Sequence, residues 1–402
     1  MSRSRNLLDR LKKFNWVMFA AMLALIAIGT IAIKSAGGAR SEAIFHGMWV
    51  GNLAAAGVGL ALYLAIAFVD YRKYIDIAAW PLYGSAIVML VAVLLLGSTV
   101  YGGRRWLWFF QPSEVSKLCV IVRIASLLGG EDSRFSRIKN SFLGFLAIGG
   151  LIAAPCLLIL AEPDLGTTLT LVPASLLMMF VARVWRKGFF AMSIALFVAA
   201  AAILGAVYEA ERPGAPADRR EAILKALPLR EHQVKRVKVF LFPEEDVMGS
   251  GYNLRQAKIS IGSGGYSGKG IGKGQSNLLK YLPPAISMND FIFCVYAEET
   301  GFVGSMVLLS LFAALLLPCC WIAFRTTDGR GRLLALGVST LVFAHVYVNI
   351  AMSIGLLPIT GLPLPFISAG KTFLVVVMCG LGLVQSVSVH RPSEATDSSE
   401  YE

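Results

Sequence analysis

Runs of eighteen or more apolar residues recur along this 402-residue chain, and no other feature limits its fold so severely. A helix rises about 1.5 Å per residue, so crossing a hydrocarbon core of roughly 30 Å takes about 20 such residues. In lipid every backbone N–H and C=O must find a partner within the protein, which makes such a run a spanning helix. The runs predict spans near 15–35, 44–69, 75–98, 114–129, 142–161, 165–183, 188–209, 291–324, 332–357 and 365–389. The expected fold class is an all-α integral membrane protein of about ten transmembrane helices, with 1–402 as one polytopic membrane domain. Composition agrees: Asp, Glu, Lys and Arg make up 15 % of the chain, against about 25 % in soluble domains.

The first run follows the basic stretch Arg3 to Lys13, as in a signal peptide. Met18 to Ile33 offers no small-residue cleavage site, however, and more spans follow, so it reads as a retained helix. Lys and Arg cluster at the amino terminus and after spans 2, 4, 6 and 8. The positive-inside rule then puts both termini in the cytoplasm. The formal charge of +12 reflects these loops and does not point to nucleic acid. All six cysteines fall in apolar stretches with no CxxC, so neither a zinc site nor a disulfide framework is expected. One connection stands out. Residues 210–290, between helices 7 and 8, form a long loop that this topology makes extracytoplasmic. Ala222 to Phe242 has amphipathic helical spacing suited to lying on lipid heads, and 249–290 is glycine-rich and aperiodic. The tail 391–402 is polar and expected to be disordered.

Several motifs could carry chemistry. Between Gly262 and Gly274, glycines interleave with Lys269 and Lys273, a recipe for a phosphate cradle or for a flexible surface loop. No Walker A pattern or GxGxxG occurs. Asp290, at the start of span 8, fits either a helix cap or a base or metal ligand at a cavity mouth. Glu298 and Glu299 lie two turns further in, where acids need a polar cavity or a cationic partner. In QPSEVSKL, Ser113 is a plausible N-cap, and Glu114 and Lys117 can pair at i, i+3. Arg123 lies deeper, either snorkelling or facing the bundle. Arg104, Arg105 and Trp106 suit interfacial anchoring or a pyrophosphate grip. Asp164 in EPDLGT is a natural cap for span 6. The proline-rich GLLPITGLPLPFISAG (355–370) breaks the apolar pattern as a cavity-lining segment would. His345 and Asn349 share one face of span 9, suited to hydrogen bonds between helices.

Together RRW (104–106), QPSEVSK (111–117), EPDLGTTL (162–169), HQVKRVKVFLFP (232–243), GSGYNLRQAKISIGSGGYSGKG (249–270), DFIFCVYAEETGFVG (290–304) and NIAMSIGLLPITGLPLPFIS (349–368) resemble the SEDS family (shape, elongation, division and sporulation) in order over nearly the whole chain. The GSGYN…IGSGG…GKG pattern leans toward its elongation branch over its division branch. The resemblance implies a peptidoglycan glycosyltransferase, a lipid II polymerase at the outer face of the bacterial cytoplasmic membrane. It implies partners too: a class B penicillin-binding protein, lipid II, undecaprenyl-pyrophosphate-linked glycan and other elongation-complex membrane proteins. Asp290 is then the catalytic carboxylate, or a ligand of a divalent metal ion (Mg or Mn). Arg105, Trp106, Glu114, Lys117, Asp164, Lys258, Lys269, Glu298 and Glu299 are the candidate substrate-binding residues. Departures from the family pattern are LPPAISMNDF before span 8, SAGKT with Lys371, a short RW-to-QPSE spacing, and His46–Gly47 in the second helix. Two other readings remain at this stage. One is a precursor flippase using Glu298, Glu299 and Arg123 as a headgroup path; the other is an inactive scaffold. A division or sporulation paralogue of the same family also remains open.

Overall fold

The computed structural model describes residues 9–38, 47–100, 103–108, 110–130, 138–212, 216–227, 231–246, 249–274 and 287–391, with Phe135 and Gly214. His46, the 282–286 part of LPPAISMND and the tail from 392 lie outside the described residues. In chain order the elements are α1 (Trp16–Gly38), α2 (Met48–Phe68), α3 (Tyr71–Leu96), β1 (Ser98–Val100), β2 (Gly103–Trp106), α4 (Pro112–Gly129), α5 (Phe142–Ala161), α6 (Leu165–Val181) and α7 (Arg186–Glu211). Then follow α8 (Ala217–Ala226), α9 (Glu231–Leu241), α10 (Ser250–Ser263), α11 (Ile292–Arg325), α12 (Gly329–Ser353) and α13 (Lys371–Val389).

Among the described residues, eight helices are long and apolar enough to cross a membrane: α1, α2, α3, α5, α7, α11, α12 and α13. The 17-residue α6 and the 18-residue α4 complete the ten expected spans. Helix α4 can carry Glu114, Lys117 and Arg123 because it packs against α3, α12 and α6, where protein replaces lipid around its charges. In the most apolar windows of α12 and α13, 78 % of residues are buried, against 6 % in α7, so α12 and α13 are the centre and α7 the rim. The most extensive helix pair is α2 with α13. They approach closely where Gly382 faces the Tyr63 backbone, so tightly that an added Cβ would have to push its neighbours back.

The long connection differs from its expected form. Its first half is two helices, α8 and α9, and α9 packs on α7 and α10 with Val234 and Val239 buried. The 249–263 segment, read as aperiodic, is helix α10: Gly251, Leu254, Ala257 and Ser260 form an i, i+3 stripe that packs on α11. Small residues carry that stripe, so hydrophobic periodicity did not mark it. A short antiparallel hairpin, β1–β2, also appears in a chain read as all-helical, with Ser98 opposite Trp106. Ser113 is not a cap; Gln111 precedes the helix and Pro112 opens it, which places Ser113 inside the first turn and buried.

The proline-rich segment folds back into the bundle. Leu362, Leu364, Phe366 and Ile367 are buried, and Phe366 takes a left-handed φ of 66°. Its backbone is satisfied locally: Ser368 Oγ accepts from Leu364 N at 2.8 Å, and Ala369 N donates to Met288 O at 3.1 Å. Irregular backbone at this depth is tolerated because protein surrounds it.

Candidate active site

Four chain breaks converge on one cavity of about 380 Å³: the β2–α4 corner, the α5–α6 corner, the approach to α11 and the segment between α12 and α13. The carboxylates of Glu114, Asp164 and Asp290 line it, with Arg105, Arg236, Trp106, Gln111 and Thr372.

Asp290 sits two residues before α11 and does not cap it; the residue before the helix is Phe291, with no side-chain cap. The capping alternative is thereby removed, and the carboxylate faces the cavity. Burial pushes the Asp290 carboxyl up to about 6, opposed by Arg236 and Arg105 and reinforced by Asp164. A carboxylate with that value is ionised near neutral pH yet basic enough to take a proton. Asp164 is a cap as expected: it accepts from Thr167 N at 3.2 Å, Thr167 Oγ1 at 2.7 Å and Gln111 Nε2 at 3.1 Å. Its oxygens serve the α6 amino terminus and tie it to the start of α4.

Arg105, delivered by β2, donates through Nε to Glu162 O at 3.3 Å and through Nη2 to Pro163 O. Glu162 is fully buried, and among the described residues neither of its carboxylate oxygens has a hydrogen-bond partner. Burial, with Asp164 adding, pushes the Glu162 carboxyl up to about 8 against the pull of Arg105. Glu114 and Lys117 form the expected pair at 2.7 Å, with side chains 5 % and 0 % exposed. Lys117 Nζ also lies 2.8 Å from His345 Nε2 and 5.3 Å from the centre of the Phe373 ring. The His345 and Asn349 face therefore does reach other segments, as its spacing implied.

Arg236, on α9, was not singled out from the sequence, where it is one of several cations in HQVKRVK. The structure separates them: Lys235 is exposed, Lys238 pairs with Glu211 at 2.7 Å, and Arg236 Nη1 donates to Thr360 O at 2.9 Å over the cavity. Burial and the neighbouring Arg105 lower the Arg236 guanidinium from its ordinary value.

Lys258, Lys269, Glu298 and Glu299 are not among the residues lining this cavity. The glycine–lysine stretch does form a cradle, but the groups it holds are the protein's own carboxylates. Lys269 Nζ pairs with Glu298 Oε1 at 2.7 Å, Ser35 Oγ donates to Glu299 Oε1 at 2.5 Å, and Gly272 and Gly274 N–H groups donate to Glu299. Arg123 stacks 3.8 Å over the Trp80 ring. The three residues of the imagined headgroup path are thus engaged in separate internal contacts. Lys258 is exposed, its side chain against Gly355.

Among the described residues no three His, Cys, Asp or Glu side chains group as a metal cage. Magnesium commonly takes only one or two carboxylates plus substrate phosphates. Asp290 fits that limited role, since Asp164 is committed to its cap.

The family model described as "Cell cycle protein", covering FtsW, RodA and SpoVE, matches residues 15–393. The peptidoglycan glycosyltransferase MrdB of Escherichia coli (strain K12) is 35 % identical over 379 residues, 93 % of each chain. A probable peptidoglycan glycosyltransferase FtsW of Trichlorobacter lovleyi is 30 % identical over 393 residues, 94 % of each. A chain from a structure of a peptidoglycan synthase complex, described as coordinating polymerization and crosslinking, superposes with a TM-score of 0.70 at 26 % identity, covering 95 % of this chain and 99 % of that one. The Thermus thermophilus rod shape determining protein RodA superposes at 0.63 with 24 % identity, covering 95 % of this chain and 98 % of that one, which shows the shared fold. Matched along nearly its whole length, the chain belongs to the FtsW, RodA and SpoVE family of multi-pass membrane proteins, the SEDS family that its motifs resemble.

Proposed function

We propose that this protein is a peptidoglycan glycosyltransferase that polymerises lipid II at the outer face of the cytoplasmic membrane during cell elongation. The observation that carries this reading is the half-buried Asp290 carboxylate in a cavity it shares with two guanidinium groups, Arg105 and Arg236. The match to MrdB over 93 % of both chains supports the elongation role.

The acceptor sugar 4-hydroxyl attacks the anomeric carbon of the lipid-linked donor. A new C–O bond forms, the C–O bond to pyrophosphate breaks, and undecaprenyl pyrophosphate leaves with the electron pair. Asp290 takes the hydroxyl proton as the nucleophile develops charge. Arg105 and Arg236 stabilise the charge growing on the leaving pyrophosphate, which planar guanidinium groups match well. Lys117, held by Glu114 and His345, adds a fixed positive charge behind the Glu114 wall. In the alternative role, Asp290 would instead hold a divalent ion carried in with the substrate, which would neutralise the pyrophosphate.

Both termini then lie in the cytoplasm, and α8 to α10 outside it. The structural relative from a complex that couples polymerization to crosslinking supports a class B penicillin-binding protein as partner. The test is synthesis of glycan from purified lipid II. Asp290→Ala is expected to abolish polymer while the protein keeps its elution profile and melting temperature; polymer at the wild-type rate would overturn the assignment.

A further inference from the structure

The carboxylate of Asp290 is useful only if its backbone is held, and the holding groups are few. Asn349, on α12, is fully buried and donates from Nδ2 to Asp290 O at 2.9 Å and to Leu362 O at 2.7 Å. One amide group thus joins the residue that carries the base to the re-entrant segment opposite. One turn earlier on the same face, His345 accepts from the Lys117 ammonium at 2.8 Å and lies 3.4 Å from Pro363 O through Nδ1. Side chains four apart on a helix stack along its axis, so these two contacts are set by a single rigid element. A second pin lies beside them: Ser368 Oγ donates to Asn289 O at 2.6 Å.

We propose that Asn349 is a positioning residue for glycosyl transfer, fixing the Asp290 carboxylate against the Leu362–Pro363 backbone, while His345 holds the Glu114–Lys117 pair in the same frame. The inference rests on the glycosyltransferase reading above and adds to it the element that spaces the two charged groups. It accounts for a buried polar pair in the last third of α12 that need not touch substrate. A displacement of about 1 Å at a reacting group can lower rate by about 100-fold. Loss of the Asn349 amide is therefore expected to act on kcat and leave KM nearly unchanged.

The test compares full-length wild type, Asp290→Ala and Asn349→Leu, a substitution close in size that lacks the donor, in polymerisation from purified lipid II, with melting temperature and folded fraction measured alongside. The expected result is a kcat per folded protein at least tenfold lower for Asn349→Leu, with KM within twofold of wild type. A role in stability alone would lower the melting temperature and the folded fraction but leave kcat per folded protein at the wild-type value, and this result would overturn the proposal. Wild-type activity in Asp290→Ala would instead remove the glycosyltransferase reading and this inference with it. If Asn349→Leu does not fold, Ser368→Ala severs the neighbouring pin and is expected to show the same pattern more weakly; an unchanged kcat per folded protein there would sink the idea.

Discussion

Asp290, Glu162 and Lys117 show how one bundle treats buried charge in three ways. Asp290 is pushed up to about 6 chiefly by burial, so its proton leaves as pH rises through that value. If Asp290 is the base, initial rates of polymerisation should climb from pH 5 to 7 with a midpoint near 6, and Asp290→Asn should lack both the activity and the limb. Among the described residues Glu162 has no partner for either oxygen, and its value near 8 lies above the ordinary 4.5. The folded state therefore binds the proton more tightly than the unfolded chain. The stability this confers is complete below about 4.5 and is lost as pH rises through about 8. Melting temperatures of the wild type should fall over that window, and Glu162→Gln should flatten the fall. Lys117 is compensated by Glu114, and removing one member leaves a charge without its counterion. Lys117→Met should destabilise by about 3–5 kcal/mol, with Glu114→Gln in the same chain recovering part of it, as denaturant titration in detergent would measure. The pair itself was legible in the i, i+3 spacing, as was the Asp164 cap; the fate of Glu162 was not, because its spacing from the helix start does not say what packs around it.

Helix α11 is the element whose form explains most of the long connection. It is broken at Gly301, where φ is +68°, and the break leaves backbone groups without helical partners. The glycine stretch supplies them: Lys269 N and Gly270 N donate to Glu298 O and Glu299 O, while Phe302 N and Val303 N donate to Gly265 O and Tyr266 O. Gly268 and Gly301 meet backbone to backbone, and a Cβ on either would collide with the other strand of the contact. Gly301→Ala is thus expected to lose about 1–3 kcal/mol through left-handed strain and to raise hydrogen exchange across 264–274. Unchanged exchange there would mean that the stretch holds itself. The cradle was legible in the sequence but its contacts with Glu298 and Glu299 were not, since composition shows that N–H groups are free to converge but not which anion reaches them. The α10 helix was missed for a related reason: its buried stripe is made of Gly251, Leu254, Ala257 and Ser260, three of them too small to give a hydrophobic period.

At the scale of the whole molecule the bundle is asymmetric. Helices α12 and α13 lie at its centre, α7 is nearly all rim, and the α8–α10 cap joins α7 to α11 on one face. On the proposed topology, with both termini cytoplasmic, a cysteine placed at exposed Arg219 should react with a membrane-impermeant maleimide in spheroplasts. One at exposed Lys187 should react only after lysis, and the reverse pattern would invert the topology. Native cysteines interfere little, as all six are buried or half-buried. The sequence by itself determined the ten spans, their family and the candidacy of Asp290, because spanning a membrane demands long apolar runs and the motifs are contiguous in the chain. Only the tertiary structure decided which charges share a cavity. Arg236 and Asp290 are 54 residues apart in sequence, and Glu298, eight residues beyond Asp290, faces another partner altogether. Such meetings depend on how α9, α11 and the re-entrant segment fold over one another, and packing across hundreds of residues leaves no local periodicity to read.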